Sequence, residues 1–214
     1  MRTETFIRPP IKWSNLFRAP RRFTKFQYAR TRSALRDFLS LVVVKVSSPK
    51  AGKRWYHKSY KMNRSATRPI AQQLHVDMYT AFAAGDLNQL RQLCTDGILE
   101  TFRSRIQGRQ KGEVVKWELL RYVGTPRVVS DRAALVPGME GMAIRQAVVR
   151  IRSLQRLTRT VGGKAIGNEE GKEVEEYVVV QQKVEKWQAG GWQVWGTTKA
   201  TQLEDVEEWQ KRTA

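Results

Sequence analysis

The spacing of hydrophobic residues changes once along the chain, near Gly112, from a helical period to the alternation typical of strands. Before that point, an apolar residue recurs at every fourth position behind Pro69, whose fixed φ suits a first helical turn. This stripe consists of Ile70, Leu74, Met78 and Phe82. The pattern predicts a helix that begins near Pro69 and ends at Gly85.

Two shorter helices are predicted next. Asp86 is placed to cap the first of them, with Gln89 three residues later as in a capping box. Its buried face is formed by Leu87, Leu90 and Leu93. The pair Asp96-Gly97 then interrupts the pattern. A third short helix is predicted from the spacing of Ile98, Leu99, Phe102 and Ile106.

Beyond Gly112 the apolar and polar residues alternate, which predicts strands. One face of the first strand carries Val115, Trp117, Leu119 and Val123. Four more strands are expected at about 126–136, 143–157, 173–187 and 192–198, separated by Pro137-Gly138, by the polar loop 162–172 and by Gly190-Gly191. In the segment 143–157 the apolar residues alternate with arginines, as in an antiparallel sheet with one wet face.

These elements predict an α+β fold. Residues 69–200 are expected to form a cone in which two to three helices pack on a curved, four- to five-stranded antiparallel sheet. An acidic tail, 201–214, follows the cone, and a long basic extension, 1–68, precedes it.

Positive charge is concentrated in that extension. Residues 1–68 hold 18 Lys and Arg against Glu4 and Asp37, a net charge of +16, whereas the remaining 146 residues carry a net charge of only +3. A segment so dense in like charge buries too little apolar surface to offset its ordering entropy. The sequence therefore predicts an irregular arm that is disordered when free and meets a polyanion.

Other features limit the cellular context. The single cysteine, Cys94, excludes an internal disulfide and a multi-cysteine zinc site, which fits a reducing compartment. The most apolar stretch, Phe38 to Val46, is about half the roughly 20 residues of a membrane span, and it is interpreted as a short strand or a docking segment. The acid-poor, Arg-rich N-terminus resembles a mitochondrial presequence of unusual length.

RNA is the favoured partner of the arm, with a membrane surface and a targeting role as alternatives. Its cations alternate with aromatic residues, and this combination suits phosphate contacts and base stacking. The candidate phosphate contacts are Arg18, Arg21, Arg22, Lys25, Arg30, Arg32, Lys53, Arg54, Lys58 and Arg64.

The segment from Ile70 to Ile106, IAQQLHVDMYTAFAAGDLNQLRQLCTDGILETFRSRI, resembles the opening of the Tim-forty-four-like domain family. The strand VVKWELLRYVG and the ending YVVVQQKVEKWQAGGWQVWGTT, with Trp192 and Trp195, are similar to later parts of that domain. The resemblance covers roughly 69–200. It is closest to the branch that holds the mitochondrial ribosomal large-subunit protein forty-five and the inner-membrane mitoribosome receptor.

The resemblance implies a cone like that of nuclear transport factor two, located in the mitochondrial matrix at the inner membrane. It also implies a component of the large ribosomal subunit that binds rRNA and neighbouring ribosomal proteins. This component would tether the ribosome, near its exit tunnel, to the inner-membrane surface or an insertase for co-translational insertion. The alternative is a matrix-side peripheral subunit of the inner-membrane protein import motor.

Two groups of arginines on the cone are candidates for a surface that meets anionic lipid or RNA. They are Arg103, Arg105 and Arg109, and Arg150, Arg152 and Arg156.

No catalytic residue, metal site, cofactor or small-molecule substrate is predicted. His75 and Asp77 are two positions apart and point about 200° away from each other on a helix, so they form no local dyad. Cys94 is interpreted as a small core residue, and Glu169-Glu170 and Glu175-Glu176 as solvated charge. A pocket for an acyl chain inside the cone stays open.

Overall fold

Helices precede an antiparallel sheet, as the change of hydrophobic period predicts. The computed structural model describes residues 7–9, 17, 19–52, 54, 57–162, 164–167, 170–202 and 205. Its helices are α1 (Pro20–Ser47), α2 (Thr67–Ala84), α3 (Leu87–Leu93) and α4 (Asp96–Gln107). Its strands are β1 (Val114–Tyr122), β2 (Arg127–Leu135), β3 (Ala143–Val161), β4 (Lys164–Gly167), β5 (Lys172–Glu185) and β6 (Gln188–Thr198). The α+β class is confirmed, and the short β4, inside the predicted polar loop, adds a sixth strand.

The long strand β3 organises the sheet. On one side its first half pairs with β2 and its second half with β1, while on the other side it pairs with β5 and then β4. The order β1-β3-β5-β6 is antiparallel throughout. Register shifts in β1, β2 and the β5–β6 pair mark bulges, which bend strands and increase their twist.

The main core lies between α2–α4 and the sheet face that carries Ala147, Val149 and Ile151. The helices contribute Ala71, Leu74, Met78, Ala81, Leu90, Leu99 and Phe102, the residue after α3 contributes Cys94, and the neighbouring strands contribute Val178, Val180 and Val194. Burial of Cys94 raises the pKa of its thiol to about 12, in agreement with its interpretation as a core residue.

The predicted helix boundaries are confirmed at the junction between α2 and α3. Gly85 adopts a left-handed φ of 76° directly after α2. Asp86 Oδ1 then accepts hydrogen bonds from the backbone N–H groups of Asn88 and Gln89, both at 3.0 Å. Asp86 donates its own N–H to the Ala81 carbonyl.

The predicted break at Gly190-Gly191 is wrong, because both glycines lie within β6. The hairpin turns at Lys186 and Trp187 instead, both of which have positive φ. Such a turn favours Asn or Gly, so the sequence gives no local sign of it. Trp187 donates its backbone N–H to the Gly141 carbonyl at 3.0 Å and packs against a buried cluster near the start of β3.

The prediction of an irregular arm is wrong for residues 20–47, which form the 28-residue helix α1. Pro20 occupies its first turn, where the missing N–H is tolerated. Leu41 and Val44, one helical turn apart, are 4% and 1% exposed and pack with Tyr60, Ala133, Ala143 and Val184. Tertiary burial therefore stabilises this helix in spite of its like charges and of the β-branched run that suggested a strand.

Helix α1 packs against β2, a strand at the edge of the sheet. Ser40 Oγ accepts the backbone N–H of Ala133 at 3.2 Å, and the Asp37 carboxylate accepts the Ser130 hydroxyl at 2.8 Å. A covered edge cannot recruit a strand from another chain. The N-terminal segment adds a further contact, since Ile7 exchanges two hydrogen bonds with Thr201 near the other end of the chain.

A buried ion pair joins the arm to the cone. Arg145 is 1% exposed, and its Nε and Nη2 atoms donate to the two carboxylate oxygens of Asp131 at 2.9 and 2.7 Å. The same guanidinium donates to Thr67 Oγ1 at 3.1 Å and to the Asn63 carbonyl at 3.3 Å. Its Cζ lies 5.0 Å from the ring centroid of Trp192. Strands β2, β3 and β6, the start of α2 and the linker before it therefore share one cation.

We expect Asp131→Ala to lower the free energy of unfolding by about 3–5 kcal/mol, because it leaves the Arg145 cation buried without its counter-charge. Urea denaturation would measure the loss. Glu173→Ala is the control, since it removes an exposed pair with Arg152 and should cost less than about 1 kcal/mol. The double variant Asp131→Ala/Arg145→Met should recover part of the loss. Equal losses for Asp131→Ala and Glu173→Ala would contradict the role of the pair.

We also expect Leu41→Ala to destabilise the whole protein by about 2–5 kcal/mol, because it removes a buried side chain from the interface of α1 with the sheet. Leu39→Ala, on the exposed side of the same helix at 49% exposure, should change stability by no more than about 0.5 kcal/mol. Urea denaturation, monitored by circular dichroism, would measure both changes in the free energy of unfolding. Independent melting of α1, with the Leu41 variant as stable as the Leu39 variant, would show that the helix is no part of the cooperative fold.

Candidate functional site

The N-terminal half of α1 presents cations to solvent. Arg21, Arg22, Lys25 and Arg32 are all exposed, and no acidic residue lies in the first turn of the helix. On a helical projection Arg21, Lys25 and Arg32 fall within about 40° of one another, so they form one cationic side. Of the other predicted phosphate contacts, Arg54 is exposed in the loop after α1, and Arg18 and Lys53 lie outside the described residues.

Three further predicted phosphate contacts have structural partners. Lys58 Nζ donates to the carbonyls of Val46 at 2.7 Å and Ser48 at 3.0 Å, which caps the C-terminal end of α1. Arg30 donates to the Pro9 carbonyl at 2.6 Å, and burial followed by the charge of Arg8 lowers the pKa of its guanidinium. Arg64 lies 3.6 Å from the Asp131 carboxylate. Their contact with RNA stays a prediction.

The three arginines predicted on β3 lie opposite glutamates of the neighbouring strands. Arg150 pairs with Glu175 at 2.6 Å, Arg152 with Glu173 at 2.5 Å, and Arg156 with Glu118 at 3.5 Å. The hydrogen bond between Arg150 and Glu175 raises the pKa of the guanidinium and lowers that of the carboxyl. We call these three cross-strand pairs the arginine ladder. Because each arginine charge is compensated by a glutamate, the arginine ladder attracts a polyanion less than the α1 cations do.

The second predicted group lies on and after α4, and it is split. Arg109 donates to the carbonyls of Phe82 at 2.5 Å and Ala83 at 3.0 Å, and its Cζ lies 5.0 Å above the Phe82 ring. It thus closes the C-terminal end of α2, and burial lowers its pKa. Arg103 pairs with Glu100 at 2.5 Å on α4. Arg105 is exposed and borders a cleft.

That cleft lies between α2 and the sheet and has a volume of about 800 Å³. Its apolar lining is formed by Tyr79, Phe82, Val115, Trp117, Leu157 and Val174. Charged side chains, including Arg105, Arg159 and Lys172, border it. A cleft of this lining can hold an apolar group with an anionic end.

Behind the cleft, a polar cluster surrounds the carboxylate of Glu176. It accepts hydrogen bonds from His75 Nε2 at 2.9 Å, from Gln155 Nε2 at 2.9 Å and from the Tyr79 hydroxyl. Gln155 Oε1 in turn accepts Trp117 Nε1–H at 2.9 Å, and the rings of Tyr79 and Trp117 stack at 5.2 Å. His75 is fully buried, and its Nδ1 has no hydrogen-bond partner among the described residues.

Neither member of the His75–Glu176 pair lines the cleft. Tyr79, Trp117 and Gln155 form its wall, and Glu176, whose side chain is 15% exposed, lies behind them. The cluster orients the wall of the cleft and joins α2 to β5. Asp77, by contrast, faces away and accepts a hydrogen bond from Gln73 at 2.8 Å.

The interpretation of Glu176 as solvated charge is wrong. Glu176 precedes Val178 and Val180 at the same period of two and so lies on their buried face, while Glu175 faces the arginine ladder. The alternation in the sequence could have revealed this position. The paired glutamates Glu175-Glu176 concealed it, because adjacent carboxylates are typical of solvated segments.

Burial favours a raised pKa for Glu176, but the hydrogen bonds from His75, Tyr79 and Gln155 outweigh it and lower the pKa below 4.5. Glu176 therefore contributes stability that is present above pH 4.5 and is lost as the pH falls through the lower folded-state pKa.

We expect Glu176→Gln to flatten this acid dependence. At neutral pH the free energy of unfolding of the variant should fall by about 1–3 kcal/mol, because one carboxylate oxygen is replaced by an amide donor that faces the three existing donors. Urea denaturation over a pH series would measure both effects. Glu173→Gln is the matched control on the exposed side of the same strand, and it should keep the wild-type profile. A Glu176→Gln profile that parallels the wild type would exclude the cluster as the source.

Known proteins include relatives of this chain. The sequence model of the MBA1-like protein family matches residues 55–212. An uncharacterized protein of Schizosaccharomyces pombe is 31% identical over 139 residues, a match that covers 64% of this chain and 48% of the relative. The chain thus spans about half the length of that curated relative.

A solved structure, the crystal structure of the intermembrane space region of the chloroplast protein ARC6, superposes with a TM-score of 0.36 at 13% identity. The superposition covers 66% of this chain and 99% of the other. It supports no conclusion at this level of similarity.

The family model begins inside the predicted arm and includes the linker that carries Lys58 and Arg64. Membership of the Tim-forty-four-like branch stays a prediction, whereas the mitochondrial location and the association with a membrane agree with the family. Because the matched region covers most of the sequence, the chain belongs to the MBA1-like protein family, which places it in the mitochondrion in association with the inner membrane.

Proposed function

We propose that the protein is a non-catalytic tether that holds the mitochondrial ribosome at the matrix face of the inner membrane. In this proposal it binds rRNA of the large subunit, with neighbouring ribosomal proteins, close to the exit tunnel. Membrane proteins would then emerge beside the inner-membrane surface or an insertase. The alternative, a subunit of the protein import motor, would use the same arm to bind a protein partner.

The observation that carries the RNA part is the uneven balance of charge over the surface. Five of the six predicted cone arginines, all but Arg105, face glutamates or backbone carbonyls. By contrast, Arg21, Arg22, Lys25 and Arg32 lie exposed on a helix whose one acid, Asp37, is buried against β2. A rigid cationic side of this kind suits a phosphate backbone, and its affinity depends on counterion release. The family supports a mitochondrial setting for this contact.

The non-catalytic part rests on the cleft. Neither the buried His75 nor the partly exposed Glu176 lines the cleft, whose wall is formed by Tyr79, Trp117 and Gln155. The thiol of Cys94 is buried, and burial raises its pKa. Asp77 faces away from this pair, so the positions of His75, Asp77 and Cys94, the candidates for acid–base or nucleophilic chemistry in the helical layer, favour a structural role.

We expect Arg21→Gln/Arg22→Gln/Lys25→Gln to weaken co-sedimentation of the full chain with purified mitochondrial large subunits. Each lost phosphate contact should reduce the slope of log K against log salt by about 0.7–0.9. The matched control is Arg150→Gln/Arg152→Gln/Arg156→Gln, which removes the same charge from the self-compensated ladder and should bind nearly as tightly as wild type.

Full-length variants are required, because removal of residues 1–68 would also remove Leu41, Val44 and Tyr60 from a buried cluster. If both triple variants lost the same amount of binding to the large subunit, net charge alone would explain the binding, and α1 would have no special role. Wild-type protein that ignores the ribosome and follows the import machinery in a mitochondrial lysate would overturn the proposal in favour of the import-motor alternative.

A further inference from the structure

The C-terminal half of α1 exposes a continuous apolar surface. Six of its large hydrophobic side chains are between 37% and 59% exposed. They are Leu35, Phe38, Leu39, Val42, Val43 and Val46, which we call the α1 apolar face. On a helical projection they span an arc of about 140°. Folded chains in water rarely leave so large a contiguous patch uncovered without a use for it.

The opposite side of the same helix is the one that packs on the sheet. Asp37, Leu41 and Val44 are buried there, about 180° from the centre of the α1 apolar face. The face therefore points away from the domain, and it cannot close onto the core without the release of α1. Its occupant comes from outside the described residues.

The charges around the α1 apolar face identify the chemistry of that occupant. Exposed Arg36 borders it on one side and exposed Lys45 on the other, while exposed Arg32 lies on the same side of the helix just before the face begins. The one acid of α1, Asp37, is buried and bonded to Ser130. An apolar strip between cations matches the interface of an anionic bilayer, which offers acyl chains beneath negative head groups.

Other occupants match less well. RNA supplies negative charge but no apolar layer for six exposed hydrophobic side chains. A second copy would bring its own cationic helix and a formal net charge of +19 to the contact. None of the helices in the described ranges, α1 included, is long and apolar enough to cross a membrane.

We propose that the α1 apolar face is the membrane-docking surface of this protein, with α1 lying parallel to an anionic bilayer and the whole face, from Phe38 at one edge to Val43 at the other, inserted below the head groups. The segment Leu35–Val46 is about 18 Å long, so it covers a strip of the interface. Arg36 and Lys45 extend along the edges, and Arg32 extends from the N-terminal end of the face, to reach lipid phosphates. This inference rests on the membrane part of the proposed function and assigns it to a surface other than the cone arginines.

The arrangement also divides α1 between two partners. Lys25 and Arg21 lie about three and about four turns before Leu35 on the same side of the helix. Phosphate groups can therefore meet the first half of α1 while acyl chains meet the second half. A ribosome and a membrane bound in this way would lie next to each other along one helix.

Binding of the purified full chain to phosphatidylcholine vesicles, with and without an equal amount of phosphatidylglycerol, tests the inference. We expect Phe38→Gln/Val43→Gln to weaken binding to the anionic vesicles at least about tenfold, because two inserted side chains are lost. Glutamine is a good helix former, so α1 should persist. Val114→Gln/Met139→Gln, which changes two comparably exposed side chains elsewhere, should bind as wild type does.

A fluorescent probe locates the insertion directly. Val43→Cys and Met139→Cys place a reactive thiol at positions that are both 55% exposed, while the native Cys94 is buried and has a raised pKa. The emission of an environment-sensitive dye attached to the Val43→Cys variant should shift to the blue on addition of anionic vesicles. The same dye attached to the Met139→Cys variant should not shift.

Each contrary result overturns the inference in a recognisable way. Anionic vesicles that bind the Phe38/Val43 variant as tightly as wild type, with no shift of the dye, would move the membrane contact to another surface. Wild type that ignores vesicles but forms dimers sensitive to Phe38→Gln/Val43→Gln would assign the face to a second copy. Neither result touches the ribosome sedimentation, which should stay at the wild-type level in this variant, so the two proposals fail separately.

Discussion

The buried guanidinium of Arg145 is the constraint on which the assembly of this protein depends. A cation at 1% exposure is tolerated only when its counter-charge and its remaining donors are satisfied together. Asp131 supplies the charge from β2, while Thr67 and Asn63 supply oxygens from the start of α2 and the linker before it. Once these groups have met, β2 is fixed beside β3, and its outer edge becomes the support on which α1 packs.

The distribution of charge follows from that assembly. Within the cone, opposite charges lie across neighbouring strands, as in the pair Arg152 and Glu173, or a cation caps a helix, as Arg109 does for α2. Such groups stabilise the fold. Because their charges are compensated, they attract a charged partner only weakly. Helix α1 differs, because its acid is buried and its cations other than Arg30 are exposed. Uncompensated positive charge is therefore concentrated on an element whose other side packs on the core.

The cone shows how far a local pattern can predict a fold. The stripe from Ile70 to Phe82 predicted α2, and the alternation around Val149 predicted β3, because burial of one face requires the matching period in the sequence. The turn at Lys186-Trp187 escaped prediction, since its positive φ values are held by the contact with Gly141 and not by turn residues. Glu176 escaped because its burial depends on three donors, two from α2 and one from β3, that meet only in the folded chain.

Residues 1–68 show most clearly which properties the sequence determines and which ones depend on the tertiary structure. The sequence by itself determined that residues 1–68 are strongly cationic, that the following residues form helices and then strands, and which faces of those elements are apolar, because charge and periodicity are local properties. Only the tertiary structure decided that residues 20–47 are a helix, since its stability comes from Leu41 and Val44 packed against β2, far away in sequence. It also decided which arginines remain available, because each cation is compensated or exposed according to the neighbours that folding brings to it.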